Sequence, residues 1–280
     1  MDFLNQTEHG KNNWWRYLVS FLVIAILWII IGSIPAGINL ILKTKSIETN
    51  FIGLMTSFIF LLFGLWVSMR WIHNRKFLTL ITIRERVNWK SYFFGFGITT
   101  AILIFITGLD YLWHPGSYGL LVSDWAIVQF VTMFILSLLF IPIQTAAEEL
   151  FFRGFILQSI GRRLKNPYVL SIITSIIFTL PHLGNPEVAK EGFQFGVYYF
   201  IFGLLLALFT LKSNGLELAM GIHCANNLFV AVVVGMSGSV LNTCPIFFVE
   251  EWKMKDTMIG QIVLCVFLYV IVMRYIKKKK

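Results

Sequence analysis

Apolar runs of about 20 residues recur along the whole chain, and that length decides the fold before any other feature does. A bilayer core is about 30 Å thick, and a helix rising 1.5 Å per residue needs about 20 apolar residues to cross it. The runs fall at 18–42, 52–71, 91–113, 125–161, 167–182, 193–211, 218–234 and 258–276. The chain is 57% hydrophobic and only 13% charged, against about 25% charged residues in soluble domains. No polar stretch is long enough to make a soluble domain. A membrane barrel would instead show alternating segments of about 10 residues, and the sequence has none. The expected fold is all-α, a polytopic membrane protein of about eight transmembrane helices around a buried polar site.

Charge sets the orientation. The net charge of +9 would suit nucleic acid, but the basic residues cluster at 70–90, 162–165 and 274–280, between spans and at the tail, as the positive-inside rule requires. Nucleic-acid binding is excluded on that ground; contact of the basic tail with anionic membrane lipid is expected. Eight spans put all three basic segments and both termini in the cytoplasm, which discards the Asn5-Gln6-Thr7 glycosylation sequon. Residues 1–12 are polar and expected to be mobile, followed by an interfacial belt of Trp14, Trp15, Arg16 and Tyr17. The segment 110–124 lacks Lys and Arg and is expected outside, as are the polar loop 184–191 and a charged loop with Glu250, Glu251, Lys253, Lys255 and Asp256. Pro35 with Gly37, and Pro142, are expected to bend their helices. Cys224, Cys244 and Cys265 have no metal-ligand spacing and read as small core residues. The chain divides into N-terminal helices (1–124), a core of four helices (125–235), and an outer loop with a last helix and basic tail (236–280).

Into this apolar frame the fourth run sets Glu148, Glu149 and Arg153. Each ionised group costs about 2.5–3.5 kcal/mol at a helix centre on insertion scales, so the three together need partners, water or a function. Glu149 and Arg153 are four apart, share a helix face and are expected to pair. Glu148 points about 100° away and is left as the free carboxylate. Phe178 and His182 are also four apart, which stacks ring on imidazole. His223 and Asn227 repeat the spacing on the seventh run. Counted from the basic ends of their helices, Glu148 and His182 lie about 21 and 22 Å up, Asn227 and His223 about 15 and 9 Å up, so all four could converge.

A carboxylate held at low dielectric suits general-base work near neutral pH. A neighbouring imidazole can hold the same water, and donors on a facing helix can meet a developing oxyanion. No Ser or Cys stands as an obvious nucleophile, because Cys224 points about 100° away from His223. Three alternatives stay open on the residues alone. Glu148, His182 and His223 could hold Zn²⁺ with a bound water, although the spacing is not His-Glu-x-x-His. The fold could serve a non-catalytic scaffold or immunity protein, or a proton-coupled transporter, although the repeats typical of transporters are absent.

The three elements Glu-Glu-x-x-x-Arg (148, 149, 153), Phe-x-x-x-His (178, 182) and His-x-x-x-Asn (223, 227) together resemble the motifs of the CAAX prenyl endopeptidase and bacteriocin-processing (Abi) family of intramembrane proteases. The resemblance implies an eight-helix, glutamate-dependent protease acting on a peptide or prenylated protein, with no cofactor. It implies that Glu148 and His182 activate water and that His223 and Asn227 form the oxyanion hole, with Glu149, Arg153 and Phe178 in support. The lysine- and isoleucine-rich composition points to the plasma membrane of a prokaryote.

Overall fold

A computed structural model describes residues 2–120, 124–236, 239–249 and 254–279. The chain folds as a helical bundle: α1 (Asp2–Asn5), α2 (Trp14–Ile41), α3 (Ile47–Ile72), α4 (Trp89–Trp113), α5 (residues 124–161), α6 (Pro167–His182), α7 (Pro186–Glu191), α8 (Gln194–Ser213), α9 (Glu217–Val232) and α10 (Met254–Lys278). Three short strands, β1 (Tyr118–Leu120), β2 (Val234–Met236) and β3 (Phe247–Val249), form a small sheet in the order β1-β3-β2. β3 runs antiparallel to β1 and parallel to β2. The charges expected on the outer loop at Glu250, Glu251 and Lys253 lie outside the described residues, as does Lys280; Lys255 and Asp256, expected on the same loop, fall in the first turn of α10, which starts four residues earlier than expected.

The fold is that of a multi-pass membrane protein. Among the described residues, six helices are long and apolar enough to cross a bilayer: α2, α3, α4, α5, α8 and α10. Their outward faces carry large apolar side chains such as Ile29, Ile30, Leu112 and Trp113, which cost nothing against lipid tails. The fifth and seventh expected spans form, but each is only 16 residues, about 24 Å long and short of the bilayer core. These two short helices carry His182, His223 and Asn227. α9 is buried along most of its length and packs on α4, α5 and α8. Its approach to α4 is backbone to backbone: a Cβ on Gly221 would lie 2.0 Å from the Tyr92 carbonyl oxygen, and one on Gly95 2.6 Å from that of Leu218. Small residues permit such close helix contacts in a membrane, and here they seat the turn that carries His223.

Both helices expected to bend at a proline depart from α geometry over part of their length. α2 leaves α geometry at Ile26–Ile31, just before Pro35, whose ring cannot accept the carbonyl four residues back and which has no N–H to give. α5 is an α-helix through Pro142, over Asp124–Glu149, and departs later, in a π-helical stretch over Leu150–Ile156. Such stretches concentrate at functional sites, and this one begins one residue after Glu149.

The basic segments meet at one end of the bundle. The Arg162 guanidinium donates to the Asn12 carbonyl, that of Arg16 to the Ile72 carbonyl, and Lys279 Nζ to Ser91 Oγ at 3.3 Å. Thr82 bridges to Gly215 beside them. The N-terminal segment, expected to be mobile, is docked here: Phe3, Leu4 and Thr7 are buried, and the Phe3 N–H donates to Asn214 Oδ1 at 3.4 Å. Leu4 packs onto Gly161, where a Cβ would come 2.6 Å from Leu4 Cδ2. The apolar pair Phe3-Leu4 anchors a stretch that is otherwise polar. At the opposite end, the loop expected to be solvent-facing forms α7, and its Glu187 is buried.

Candidate active site

α5, α6 and α9 bring the sequence-selected residues to one place. Glu148, Phe178, His182, His223 and Asn227 all line a single cavity of about 320 Å³, whose other walls include Trp28, Phe58 and Tyr199. That volume falls at the lower end of ordinary ligand sites.

Behind the cavity lies a closed ion pair. Arg153 is fully buried, and its Nη1 donates to Glu149 Oε1 at 2.8 Å. Its Nη2 reaches the Gly203 carbonyl on α8 at 3.4 Å, and its guanidinium carbon sits 4.0 Å from the centre of the Phe178 ring. Phe178 therefore packs as a cation–π partner of Arg153 on one side and against the His182 imidazole on the other, at 4.4 Å between ring centres. The i, i+4 pairing expected for Glu149 and Arg153 is present.

His223 reaches across from α9 and joins the two carboxylates. Its Nδ1 is 2.8 Å from Glu149 Oε1, and its Nε2 is 3.6 Å from Glu148 Oε2. The second distance is too long for a hydrogen bond. Glu148 Oε2 is closed off from solvent and receives no hydrogen bond from the described residues. Among the described residues the guanidinium bonds Glu149 and not Glu148, and it is Glu148 that lines the cavity. Glu149 Oε2 and Arg153 Nε are likewise buried without a hydrogen-bond partner.

His182 sits at the end of α6. Its Nδ1 bonds the Phe178 carbonyl at 2.7 Å, and its ring lies between Phe178 and Tyr199, the latter 4.5 Å away. Asn227 Nδ2 donates to Gln144 Oε1 at 3.1 Å, and Asn226 Nδ2 donates to Asn227 Oδ1 at 3.2 Å. Among the described residues, no group of three or more His, Cys, Asp or Glu side chains is arranged to hold a metal ion.

Three residues at the site were not selected from the sequence. Gln144 is one turn before Glu148 on the same face of α5, a spacing that the i, i+4 argument already used for Glu149 and Arg153 would have caught. Asn226 adjoins Asn227 in the chain. Glu187 accepts from the Tyr199 hydroxyl, from Asn185 Nδ2 at 3.3 Å and from the Val240 N–H at 3.0 Å. It thereby ties α7, α8 and the segment after β2 together beside His182. Nothing in its polar, proline-bearing loop marked it for burial.

Comparison with known proteins agrees with this geometry. A family model described as type II CAAX prenyl endopeptidase Rce1-like matches residues 124–229, a range that contains every motif residue of the cavity. The uncharacterized protein YyaK of Bacillus subtilis (strain 168) is 34% identical over 255 residues, which are 85% of this chain and 84% of that protein. With the motifs, the helical membrane fold and the matched core in agreement, this chain belongs to the Rce1-like family of type II CAAX prenyl endopeptidases, a family of membrane proteases.

Proposed function

We propose that this protein is an intramembrane endopeptidase that hydrolyses an amide bond near the C-terminal part of a peptide or lipidated, CAAX-type protein, using water activated by Glu148 and His182 and no resident metal. The observation that supports this reading best is the placing of the two adjacent glutamates: Glu149 Oε1 is held by Arg153 and His223 behind the cavity, while Glu148 lines the cavity and its Oε2 accepts no hydrogen bond from the described residues. A water between Glu148 and His182 loses a proton to the carboxylate as its oxygen bonds the scissile carbonyl carbon. The carbonyl oxygen takes the displaced electron pair on the α9 side, where His223 and Asn227 sit one turn apart. Collapse breaks the C–N bond, and the proton on Glu148 passes to the departing amine. Positioned proton transfer of this kind contributes about 10²–10⁴-fold, and oxyanion donors a comparable factor.

In this reading the basic end, with both termini, faces the cytoplasm of a prokaryote, and the membrane is its plasma membrane. The test is cleavage by the purified protein in detergent of a panel of farnesylated and unlipidated peptides ending in CAAX sequences. Cleavage of a panel member by the parent, and none by Glu148→Gln, is expected. Equal turnover by Glu148→Gln would contradict the general-base role.

A further inference from the structure

His182 is the last residue of α6, and the final turn of a helix lacks the intrahelical partners that hold its interior. Its ring is clamped from two sides instead. On one side stands Phe178, 4.4 Å away between ring centres, whose carbonyl also bonds His182 Nδ1 at 2.7 Å. Phe178 is fixed in turn against the Arg153 guanidinium, and so by Glu149. On the other side stands Tyr199 of α8, 4.5 Å away. The Tyr199 hydroxyl donates to Glu187 Oε1 and accepts from Asn185 Nδ2 at 3.0 Å. Glu187 is 4% exposed, and its other oxygen takes the Val240 N–H at 3.0 Å. Each flank of the imidazole thus leads to a buried carboxylate: to Glu149 through Phe178 and Arg153, and to Glu187 through Tyr199.

We infer that Glu187 is a positioning residue for the hydrolysis: it fixes the Tyr199 ring, and through that ring it holds the His182 imidazole in place for the attacking water. The inference rests on the hydrolase reading above. Burying a carboxylate is costly unless hydrogen bonds replace its water. Glu187 gathers those bonds from three separate stretches, at Asn185, Tyr199 and Val240. All four residues line the catalytic cavity together with His182. A ring without a hydroxyl would fill the same space beside the imidazole. What the hydroxyl adds is the tie: with its oxygen held by two hydrogen bonds, Tyr199 cannot swing away from His182 without breaking both. A base or its helper has to sit within hydrogen-bond reach of the proton it handles, so a His182 ring that drifts loses the water before it loses the fold.

The test uses the full-length protein in detergent with the farnesylated CAAX peptide as probe, and the variants Tyr199→Phe, Glu187→Gln, Glu187→Leu and Glu187→Leu with Tyr199→Phe. Tyr199→Phe keeps the ring and removes only the tie. A misplacement of about 1 Å can cost about 10²-fold, so kcat should fall about 10–10²-fold in Tyr199→Phe and in Glu187→Leu, with KM little changed. The double variant should be no slower than the slower single one, because both break the same connection. Glu187→Gln, which keeps an acceptor for the hydroxyl, should lie between the parent and Glu187→Leu. In NMR of histidine-labelled protein, the His182 ring signals, identified by their loss in His182→Gln, should move or broaden in Tyr199→Phe. The inference fails if Tyr199→Phe turns over at the parent rate, or if the two single losses multiply in the double variant. It fails as well if KM alone changes, which makes the pair a substrate contact, or if Glu187→Leu lowers the melting temperature with kcat and the His182 signals unchanged. Tyr199→Phe carries the test should Glu187→Leu not fold. Glu148→Gln, run alongside, separates the cases: an inactive Glu148→Gln with a fully active Tyr199→Phe removes this assignment alone, whereas an active Glu148→Gln removes the reading of the site on which it rests.

Discussion

Glu148 and Glu149 are neighbours in the chain, equally apolar in their surroundings, and differ in everything that matters for chemistry. On the closed side, Glu149 Oε1 takes Arg153 Nη1 and His223 Nδ1 at 2.8 Å each, with the guanidinium over the Phe178 ring. On the cavity side, the nitrogen paired with Glu148 Oε2, His223 Nε2, is 3.6 Å away. A turn of about 100° per residue separates a carboxylate with two partners on Oε1 from one that lines the cavity. The comparison teaches that the buried ion pair is the frame, and in the proposed reading the carboxylate it leaves over is the tool. Charges are costly in a bilayer, so one carboxylate is neutralised and its Arg153 partner anchors α8 through Gly203 and α6 through Phe178. The other stays unpaired where a reacting water would need it.

Substitutions on the two sides should therefore fail in different ways. The largest effect belongs to the cavity side: Glu148→Gln should abolish peptide cleavage while the melting temperature in detergent stays near that of the parent. Arg153→Ala should lose both. Removing one partner of a buried pair leaves the other charge uncompensated at about 3–5 kcal/mol, which a thermal melt in detergent would register. An Arg153→Ala protein that is as heat-stable as the parent but inactive would move Arg153 from the frame to the chemistry. Asn227→Ala should be milder, lowering turnover about 10²–10³-fold with substrate affinity spared, as a steady-state separation of kcat from KM would show.

The smallest effect lies outside the site, at the docked N-terminus. His73 follows the end of α3, is buried against Tyr17 at 4.5 Å between ring centres, and bonds the Lys11 carbonyl at 3.0 Å. Burial lowers its pKa from 6.5 to about 4, and the nearby Arg75, Arg16 and Arg162 add to that shift. With the N-terminus released, His73 thus takes the proton first as pH falls. The contribution of His73 to docking is complete above about pH 6.5 and is lost as pH falls towards 4. Amide exchange in residues 2–13 should rise across that window in the parent and lose its pH dependence in His73→Phe.

Much of this was legible in the sequence, because the rules involved are local. Span length, basic clusters and i, i+4 spacing need only neighbours in the chain, and they gave the membrane fold, the Glu149–Arg153 pair and the Phe178–His182 stack. What escaped depends on contacts between distant segments. The bounds of α6 were legible, since Asn166 caps it and Pro167 opens it, but the burial of α9 against α4, α5 and α8 was not. His223 was paired with Asn227 by spacing, yet its ring is held by Glu149, 74 positions away. Glu187 is buried through Tyr199 and Val240, which no local pattern in its loop foretells. The docked N-terminus rests on Phe3 and Leu4, two apolar residues in a polar stretch, too few to register as a pattern.

The central claim is that Glu148, and not a metal, activates the water. It is tested most directly by turnover of the purified protein after exhaustive chelation, with zinc measured by elemental analysis in the same sample. The account predicts full cleavage of the CAAX peptide at far below one zinc per chain, and none by Glu148→Gln prepared identically. Activity that disappears with the chelator, returns with added Zn²⁺, and is lost together with bound zinc in His182→Ala and His223→Ala would contradict it.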